Sequence, residues 1–417
     1  MRRRQVLAAG ALLAMPRVAR GQAAARVVVV GGGFGGATAA RFVRRYDPAL
    51  SVTLVEANPV YISCPYSNEV VAGTRELSAQ RFRYQGMAAA GVTVVHGLAT
   101  GVDATARRVT LAGGATLDYD RLILAPGVDI AYDALPGYDE AAAETMPHAW
   151  KAGAQTDLLR RQLEAMPDGG TVVISAPANP YRCPPGPYER ASLIADMLKI
   201  RKPRSKLLLL DAKDSFSKQK LFEAGWAQRY PGLLERVSQS DGGTVTAVDP
   251  ATRTFRTDFG EHRADVANVI PPQRAGRIAA VAGVADRTGW CPIDPATFES
   301  RLVPGIHVIG DAAVAGAMPK SAFAANAQAK VCAQVVVALL ADEAAPELLL
   351  MNTCYSMLAP GEAISVTGVY RPRNGVLTEV EGAGGTSPLQ APPGFREREA
   401  GHADAWFGTI TAETFGA

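Results

Sequence analysis

Short runs of consecutive aliphatic residues divide much of the chain into units of a strand followed by a helix. The run Arg26–Val30 is followed by a helical pattern, a second run covers 51–55, and a third covers 171–174. Uninterrupted apolar runs of this length are typical of parallel strands buried on both faces. Their alternation with helices predicts an α/β protein with two Rossmann-like dinucleotide-binding-type domains. Short β-branched runs at 364–369 and 376–380, among Gly and Pro, predict an additional C-terminal α+β domain.

A glycine-rich turn directly follows the first predicted strand. Gly31, Gly33 and Gly36 occupy the three glycine positions of the G-x-G-x-x-G pattern. The first allows a tight turn, the second lets the backbone approach a pyrophosphate, and the third lets the helix pack on the strand. Glu56 ends the second predicted strand, 20 residues beyond Gly36, where an acid binds ribose hydroxyls. Strand, turn, helix and acid together predict a dinucleotide site.

The N-terminal residues have the composition of an export signal. Arg3 and Arg4 precede an apolar stretch at 6–15, and small residues at 21–25 could form a cleavage site. The paired arginines resemble a twin-arginine signal, which exports proteins already folded around a cofactor. We therefore expect residues 1–23 to be a signal and the mature protein to be periplasmic. An ordinary secretion signal and a disordered basic tail are the alternatives.

Composition and charge restrict the class of partner. The 417 residues are enough for two or three domains, with 48% hydrophobic and 20% charged residues. The formal net charge is +3, but the first 23 residues hold five Arg and no acid, so the remainder carries −2. This balance gives no indication of nucleic-acid binding. We also expect no transmembrane segment, since no apolar stretch looks long enough to cross a bilayer.

The turn after the third predicted strand differs from the first. Residues 175–180 read Ser-Ala-Pro-Ala-Asn-Pro, with no glycine and with two prolines that lack an N–H donor. A pyrophosphate needs close backbone approach and free N–H groups. The second Rossmann-like domain is therefore predicted to lack an NAD site.

Two later segments resemble elements of the glutathione-reductase-like flavoproteins. Residues 119–127, ending at Gly127, resemble their strand-and-turn element, and 305–311 resemble their late FAD motif with Gly310 and Asp311. This resemblance implies that the cofactor is FAD and that Asp311 lies by its ribityl and pyrophosphate groups.

Four domain segments follow from these motifs. The FAD-binding domain is predicted over 24–135 and 266–345, with the second Rossmann-like domain inserted at 136–265. Residues 346–417 resemble the interface domain of this flavoprotein superfamily, and the resemblance implies that they cover the flavin and meet a partner.

Five cysteines occur, and none is spaced as C-x-x-C or C-x-x-C-H. A zinc ribbon, a thioredoxin-type pair and a c-type haem on this chain are therefore not expected, and no metal site is predicted. Cys332 lies in an apolar helical stretch and Cys291 lies between Trp and Pro, so both are interpreted as packed core residues.

The remaining cysteines lie in runs that resemble the flavoprotein subunit of flavocytochrome c sulfide dehydrogenase. The resemblance covers nearly all of the mature chain. It implies a sulfide-oxidising enzyme in a heterodimer with a c-type cytochrome subunit, which alone would carry haem. It also implies FAD attached covalently through Cys64, and a redox-active disulfide between Cys183 and Cys354. The runs that carry it are 64–69 (CPYSNE), 181–190 (YRCPPGPYER), 270–275 (IPPQRA), 289–292 (GWCP), 318–321 (MPKS) and 352–356 (NTCYS).

Two charged residues complete the predicted site. Glu189 lies six residues beyond Cys183 and is a candidate for moving the proton of a reacting sulfur, with a salt bridge to Arg190 as its alternative role. Lys320 is a candidate for stabilising a reduced flavin, or else a solvated loop lysine. Trp406 would either form a wall of the site or pack in the core.

Two other functions are consistent with these motifs. A sulfide:quinone oxidoreductase would normally carry a basic or amphipathic membrane-binding tail. The tail here runs Ala-Trp-Phe-Gly-Thr-Ile over 405–410 and does not have that pattern. A non-enzymatic FAD-binding redox partner protein is the other alternative, and the response of the flavin to sulfide distinguishes it.

Overall fold

The computed structural model describes residues 24–416, so the predicted export signal at 1–23 lies outside the described residues. The first part of the chain supplies ten strands and three short or medium helices. These are β1 (Arg26–Val30), α1 (Gly36–Tyr46), β2 (Ser51–Glu56), β3 (Val60–Ile62), α2 (Ser67–Ala72), β4 (Arg81–Arg83), α3 (Gln85–Ala89), β5 (Thr93–His96), β6 (Ala99–Asp103), β7 (Arg108–Leu111), β8 (Thr116–Asp118), β9 (Arg121–Leu124) and β10 (Val128–Ile130).

The middle of the chain forms a second α/β unit. Its elements are α4 (Ala154–Ala165), β11 (Thr171–Ala176), α5 (Gly186–Arg201), β12 (Lys206–Asp211), α6 (Gln219–Arg229), β13 (Leu234–Val237), β14 (Val245–Asp249), β15 (Thr254–Thr257), β16 (Gly260–Arg263), β17 (Val266–Val269) and β18 (Gln273–Ala275). The last part returns to the first unit and then builds the C-terminal sheet. It contains α7 (Ile278–Val281), β19 (Cys291–Pro292), β20 (Ile306–Val308), β21 (Ala313–Val314), α8 (Ala322–Leu340), β22 (Leu350–Ala359), β23 (Glu362–Arg373), β24 (Val376–Glu379), β25 (Gly385–Thr386) and α9 (Phe395–Phe415).

The first sheet is a five-stranded parallel Rossmann sheet in the order β20-β9-β1-β2-β5. Its central strand β1 is buried from Val27 to Val30 because both faces of the sheet are covered. The glycine turn leaves the carboxyl end of this strand, as the apolar run predicted. Strand β20 brings the late segment with Gly310 to the same end, although nearly 180 residues separate it from β9.

The second sheet is also parallel, in the order β13-β12-β11-β17. Strand β17 pairs with β11, with Val172 opposite Val266 and Val173 opposite Ala267. The predicted boundary at residue 265 is therefore wrong by one strand. The reason is that Val266–Val269 is buried on β11, so it belongs to the inserted domain rather than to the FAD-binding domain.

The C-terminal segment forms an antiparallel sheet of β22, β23 and β24, with β25 paired to β23. Helix α9 packs across β23. This arrangement is the α+β unit that the β-branched runs predicted, and the bulk of β22 lies against α5 and α8. The C-terminal sheet therefore contacts both Rossmann-like units.

Helix α8 is long and apolar enough to cross a membrane, by length and composition only. The expectation that no stretch reaches this length is corrected for α8. Most of the apolar window, 56%, is buried inside the protein, and the helix packs against α1. Alternating small residues such as Ala329 and Ala333 allow this close contact, so α8 is a core helix of the FAD-binding domain.

In the second Rossmann-like unit, Asp211 ends β12 in the place that Glu56 takes at the end of β2. It is fully buried, and its carboxylate binds Lys213 Nζ at 2.6 Å, Arg236 Nε at 2.9 Å and the Tyr188 hydroxyl at 2.8 Å. Lys213 also donates to the carbonyl of Pro177 in the glycine-free turn. Because side chains of this domain already bind the Asp211 carboxylate, it is not available to bind the ribose hydroxyls of a nucleotide.

Candidate functional site

A cavity of about 570 Å³ lies where the two Rossmann-like units meet the C-terminal sheet. It extends from the glycine turn after β1 to the start of α5 and to β22. Of the predicted site residues it is lined by Gly31, Gly33, Glu56, Cys64, Gly127, Cys183, Glu189, Gly310, Asp311 and Cys354. Gly36 and Lys320 do not line it, and they act instead on the backbone behind it.

The glycine turn has no room for side chains. A Cβ atom on Gly31 would lie 2.3 Å from the carbonyl oxygen of Ala125, and φ at Gly31 is +102°. A Cβ atom on Gly36 would lie 1.8 Å from the Gly31 carbonyl oxygen. Both neighbours are backbone, so neither can move aside, and these glycines bring α1 and β9 against the turn.

Glu56 holds the turn from its other side. Its Oε2 accepts a 2.7 Å hydrogen bond from the Gly32 N–H, and its Oε1 accepts from the N–H of Asn58 at 2.9 Å. The carboxylate therefore lies between the phosphate-binding turn and the loop that leaves β2. This is the position from which an acid binds ribose hydroxyls.

Asp311 and Lys320 form the opposite side of the cradle. Asp311 Oδ1 is buried without a hydrogen-bond partner among the described residues, and burial raises the pKa of its carboxyl. Lys320 Nζ donates to the carbonyls of Asp311 and Ala313, each at 2.7 Å, and lies 4.0 Å from the centre of the Trp290 ring. Burial lowers the pKa of Lys320 to about 8. Lys320 thus fixes the turn that presents Asp311.

Cys64 lies on the loop between β3 and α2 and is partly buried. Its Sγ lies 3.8 Å from the carbonyl oxygen of Trp150, which also accepts a hydrogen bond from Arg182 Nη2. The charge of Cys64 contributes to the raised pKa of the Arg182 guanidinium. Cys64 therefore lines the cavity and shares one carbonyl acceptor with the Arg182 guanidinium.

All five cysteines lie within residues 24–416 and are free thiols in the structure. The disulfide implied between Cys183 and Cys354 stays a prediction. Both residues line the same cavity. Burial raises the pKa of Cys183, and the charges of Glu189 and Cys354 raise it further.

Glu189 is held by neutral donors rather than by a cation. Its Oε1 accepts from the Met357 N–H at 2.8 Å and its Oε2 accepts from Asn68 Nδ2 at 2.7 Å. Burial raises the pKa of its carboxyl, although both hydrogen bonds oppose that shift. No salt bridge joins Glu189 to Arg190 among the described residues. The alternative role considered for Glu189 is therefore not observed.

Arg190 and Asn68 lie within the runs that carry the family resemblance, but their contacts in the site were not predicted from the sequence. Arg190 is 1% exposed, and its guanidinium donates to Asn68 Oδ1 at 2.9 Å, Asn268 Oδ1 at 3.0 Å and the carbonyls of two residues at 148–149. Asn68 thus bridges Arg190 and Glu189. Arg190 directly follows Glu189 and precedes a largely apolar segment, and this position was the sign in the sequence that the arginine is buried.

The other singled-out residues lie in the surroundings of the site. Cys291 and Cys332 are fully buried, and burial raises the pKa of both thiols, as their interpretation as core residues predicts. Trp406 lines the cavity and stacks on Phe323 with ring centres 6.0 Å apart. It therefore forms a wall of the site and packs at the same time.

The residues present fit an FAD molecule. The turn at Gly31 and Gly36 leaves a surface that only backbone can provide, and Glu56 lies where the ribose would bind. The orphaned Oδ1 of Asp311 faces the same cavity and lacks the partner that a ribityl hydroxyl would supply. The far end of the cavity, at Cys64, Cys183 and Cys354, is where the reactive ring would lie.

Three protein-family models match the sequence. Residues 25–174 match the pyridine nucleotide-disulphide oxidoreductase model. Residues 156–271 match the central model of the sulfide dehydrogenase [flavocytochrome c] flavoprotein chain, and 346–415 match the flavin-binding model of flavocytochrome c sulphide dehydrogenase. Fold and site together define a flavoprotein of the pyridine nucleotide-disulphide oxidoreductase class.

Individual relatives narrow this class. The flavoprotein chain of the sulfide dehydrogenase from Chlorobaculum thiosulfatiphilum is 60% identical over 45 residues, which are 11% of this chain and 94% of that sequence. The chain therefore belongs to the flavocytochrome c sulfide dehydrogenase flavoprotein family. The mitochondrial sulfide:quinone oxidoreductase of Mus musculus is 22% identical over 307 residues, covering 68% of this chain and 65% of the mouse protein.

Solved structures share the fold over nearly the full length. The sulfide:quinone oxidoreductase of Aquifex aeolicus superposes with a TM-score of 0.74 at 18% identity, covering 94% of this chain and 93% of that chain. The reductase in the putidaredoxin reductase–putidaredoxin complex superposes with a TM-score of 0.66 at 17% identity, covering 92% and 93%. The arrangement of two Rossmann-like units and a C-terminal domain is thus common to these oxidoreductases.

Replacing Gly36 tests the cofactor cradle. In Gly36→Ala, the new methyl group would overlap the Gly31 carbonyl, so the turn must shift and the flavin content should fall about tenfold or more, for a loss of ~1.4 kcal/mol or more in binding. Flavin absorbance per mole of purified protein measures this. Gly401→Ala on α9 is the control, since a Cβ atom there meets nothing within 4 Å. Full flavin content in Gly36→Ala contradicts the assignment.

Proposed function

We propose that this chain oxidises sulfide with bound FAD and passes the electrons to a c-type cytochrome subunit. The observation that carries the proposal is the meeting of Cys183 and Cys354 in one cavity with the dinucleotide-binding glycines. One cysteine precedes α5 in the second Rossmann-like unit and the other lies on β22 of the C-terminal sheet. Family membership supports sulfide as the substrate.

The two cysteines form a redox-active disulfide in the oxidised enzyme. Hydrosulfide attacks one sulfur of this bond, the S–S bond breaks, and the bonding electron pair stays on the other sulfur as a thiolate. The attacked cysteine becomes a persulfide. Bound FAD would accept two electrons and release them one at a time, because a haem partner takes up single electrons.

Glu189 handles the proton of the attacking sulfide. Its carboxyl lies close enough to Cys183 that its charge raises the pKa of that thiol. Because burial raises the pKa of Glu189, the carboxyl remains protonated to a higher pH than an exposed glutamate. As the pH rises through this raised pKa the carboxyl ionises, and the resulting carboxylate can accept the proton of the sulfide.

The second Rossmann-like unit takes no part in nucleotide reduction. Its turn lacks glycine, and Asp211 is neutralised inside the domain by Lys213 and Arg236. Electrons therefore enter from sulfide and not from NADH or NADPH. Cys183 lies on the loop that follows this turn, so the domain contributes a sulfur atom in place of a nicotinamide.

A sulfide:quinone oxidoreductase is the second candidate function. The similarity to the mouse and Aquifex aeolicus enzymes of that name favours it. The two functions differ in the electron acceptor, and the matched flavocytochrome c family models favour the cytochrome.

Anaerobic addition of sulfide to the purified holoprotein tests the proposal. Sulfide should bleach the oxidised flavin rapidly, cytochrome c should restore it, and a soluble quinone should not. Cys183→Ser and Cys354→Ser should each abolish rapid bleaching while FAD stays bound, because neither half of the disulfide works alone. Cys332→Ala is the control, since that thiol is buried in the core.

Two results would contradict this reading. Rapid bleaching by NADH would place a nucleotide site in the second Rossmann-like unit, and an unchanged rate in Cys183→Ser would remove the disulfide from the reaction.

Glu189→Gln should slow bleaching by roughly 10²-fold. It should also remove the rise of the rate with pH that ionisation of Glu189 produces.

Covalent attachment of FAD through Cys64 is a further part of the proposal. The support is the position of its thiol on the cavity wall beside Arg182. Acid-precipitated wild-type protein should stay yellow, and Cys64→Ser should release the flavin to the supernatant. Cys291→Ala should keep the colour in the precipitate. Free flavin from the wild-type protein would show that attachment is non-covalent.

The proposed compartment is the periplasm, and the proposed complex is a heterodimer with a haem-bearing subunit. The support is the Arg3-Arg4 signal pattern and the absence of C-x-x-C-H from the sequence. The mature chain should fractionate with periplasmic proteins and co-purify with a haem-staining band. Replacing both arginines with lysine should retain the chain in the cytoplasm. Cytoplasmic wild-type protein with an intact N-terminus would contradict the proposed compartment.

A further inference from the structure

Lys218 lies directly before α6 and directs its side chain into the protein. Its backbone has the left-handed φ of +64°, and only 8% of its surface is exposed. Its Nζ donates to the carbonyl oxygen of Cys354 at 2.8 Å and to the Ser356 hydroxyl at 2.8 Å. The ammonium of the second Rossmann-like unit is thus fixed against the strand that carries one of the two site cysteines.

This buried ammonium has no carboxylate within ion-pair distance among residues 24–416. Lys213, in the same domain and 7% exposed, shows the usual solution, since it pairs with Asp211 at 2.6 Å. A buried cation that bonds only neutral oxygens is costly unless a negative charge forms nearby. The position of Lys218 therefore needs an explanation beyond packing.

Both site cysteines and Glu189 act on the charge of Lys218. Burial lowers its pKa, and the charge of Cys354 is the largest influence that opposes this shift, followed by Glu189 and Cys183. Cys183 has a different environment, since burial and Glu189 both raise the pKa of its thiol. The bonds of Lys218 favour Cys354 over Cys183, because Nζ binds the Cys354 carbonyl and the hydroxyl of Ser356, which lies two residues further along β22 and so on the same face of the strand as Cys354.

We propose that Lys218 is a positioning residue that places a positive charge beside Cys354 and directs the bonding pair of the opened disulfide onto the Cys354 sulfur. The inference rests on the proposed sulfide oxidation. Hydrosulfide then attacks the Cys183 sulfur, the S–S bond breaks, Cys183 becomes the persulfide and Cys354 becomes the thiolate. No further oxidant or reductant takes part in this step.

Other titratable groups near Cys354 must be kept constant in a test. Cys183 and Glu189 approach from the α5 side, and both influence the same charges. Tyr370 lies on β23, where the charge of Cys354 raises its pKa. Glu399 on α9 acts on Lys218. The charge of Lys218 opposes the raised pKa of Cys183 and of Glu189, so alkylation of Cys183 is followed in the same samples.

The test measures alkylation of Cys354 by iodoacetamide as a function of pH in the anaerobic, phosphine-reduced holoprotein. Mass spectrometry of the peptides resolves Cys354 from Cys183. Lys218→Gln keeps a hydrogen-bond donor but removes the charge, so its Cys354 alkylation at neutral pH should be about tenfold slower and its pH midpoint about one unit higher. Lys218→Arg should retain the wild-type midpoint. Lys220→Gln, on the exposed face of α6, is the matched control.

An unchanged midpoint in folded, flavin-loaded Lys218→Gln would overturn the proposal. Equal loss in Lys218→Gln and Lys218→Arg would overturn it as well, because it would indicate a structural role. A second measurement uses only the wild-type protein: brief sulfide treatment followed by iodoacetamide should trap the persulfide on the Cys183 peptide, and trapping on Cys354 would overturn the proposal. Alkylation needs no sulfide, so failure of sulfide to bleach the flavin would refute the proposed function separately.

Discussion

Arg190 lies near the start of α5 with 1% of its surface exposed, and its guanidinium hydrogen-bonds to oxygens from three separate segments. These segments are α2 through Asn68, the loop at 148–149, and β17 through Asn268. Each bond satisfies a buried oxygen that would otherwise cost about 1–3 kcal/mol. Asn68 passes the constraint on to Glu189, so one cation fixes the carboxylate of the site, the loop that carries Trp150 and the start of α5 together. The proposed sulfur chemistry depends on that alignment, because Cys183 lies immediately before α5.

The glycine cradle and its acid were predictable from the sequence because they are local. Gly31, Gly33 and Gly36 follow a strand whose apolar run is unambiguous, and Glu56 ends the next strand. Cys183 and Cys354 were placed in one site by resemblance to a family, and the structure brings both to the cavity as free thiols. The resemblance of the runs around these two cysteines therefore located the site.

The contacts of Arg190, Asn68 and Lys218 could not be predicted from the sequence in the same way. Their partners lie more than 100 residues away in several cases, as with Asn68 and Glu189 or Lys218 and Cys354. No local periodicity in the sequence predicts such a contact. A lysine that precedes a helix is expected to be exposed to solvent, and only the tertiary structure shows that Lys218 is buried. The predicted domain boundary at residue 265 was wrong for a related reason. Strand β17 pairs with β11, although β14, β15 and β16 precede it in the chain and the sequence does not indicate which sheet it joins.

The two Rossmann-like units differ in the environment of the carboxylate that ends their second strand. Glu56 and Asp211 end equivalent second strands, yet Glu56 faces the cavity and binds the N–H groups of its own turn, whereas Asp211 is enclosed by Lys213, Arg236 and Tyr188. A carboxylate that is already neutralised in a dry interior has no capacity left for a ribose. Lys218, from the same domain, lacks such a carboxylate and instead reaches the strand of Cys354. In place of a carboxylate free to bind a ribose, the second Rossmann-like unit thus has a closed ion cluster, together with a cation bonded to the strand that carries Cys354.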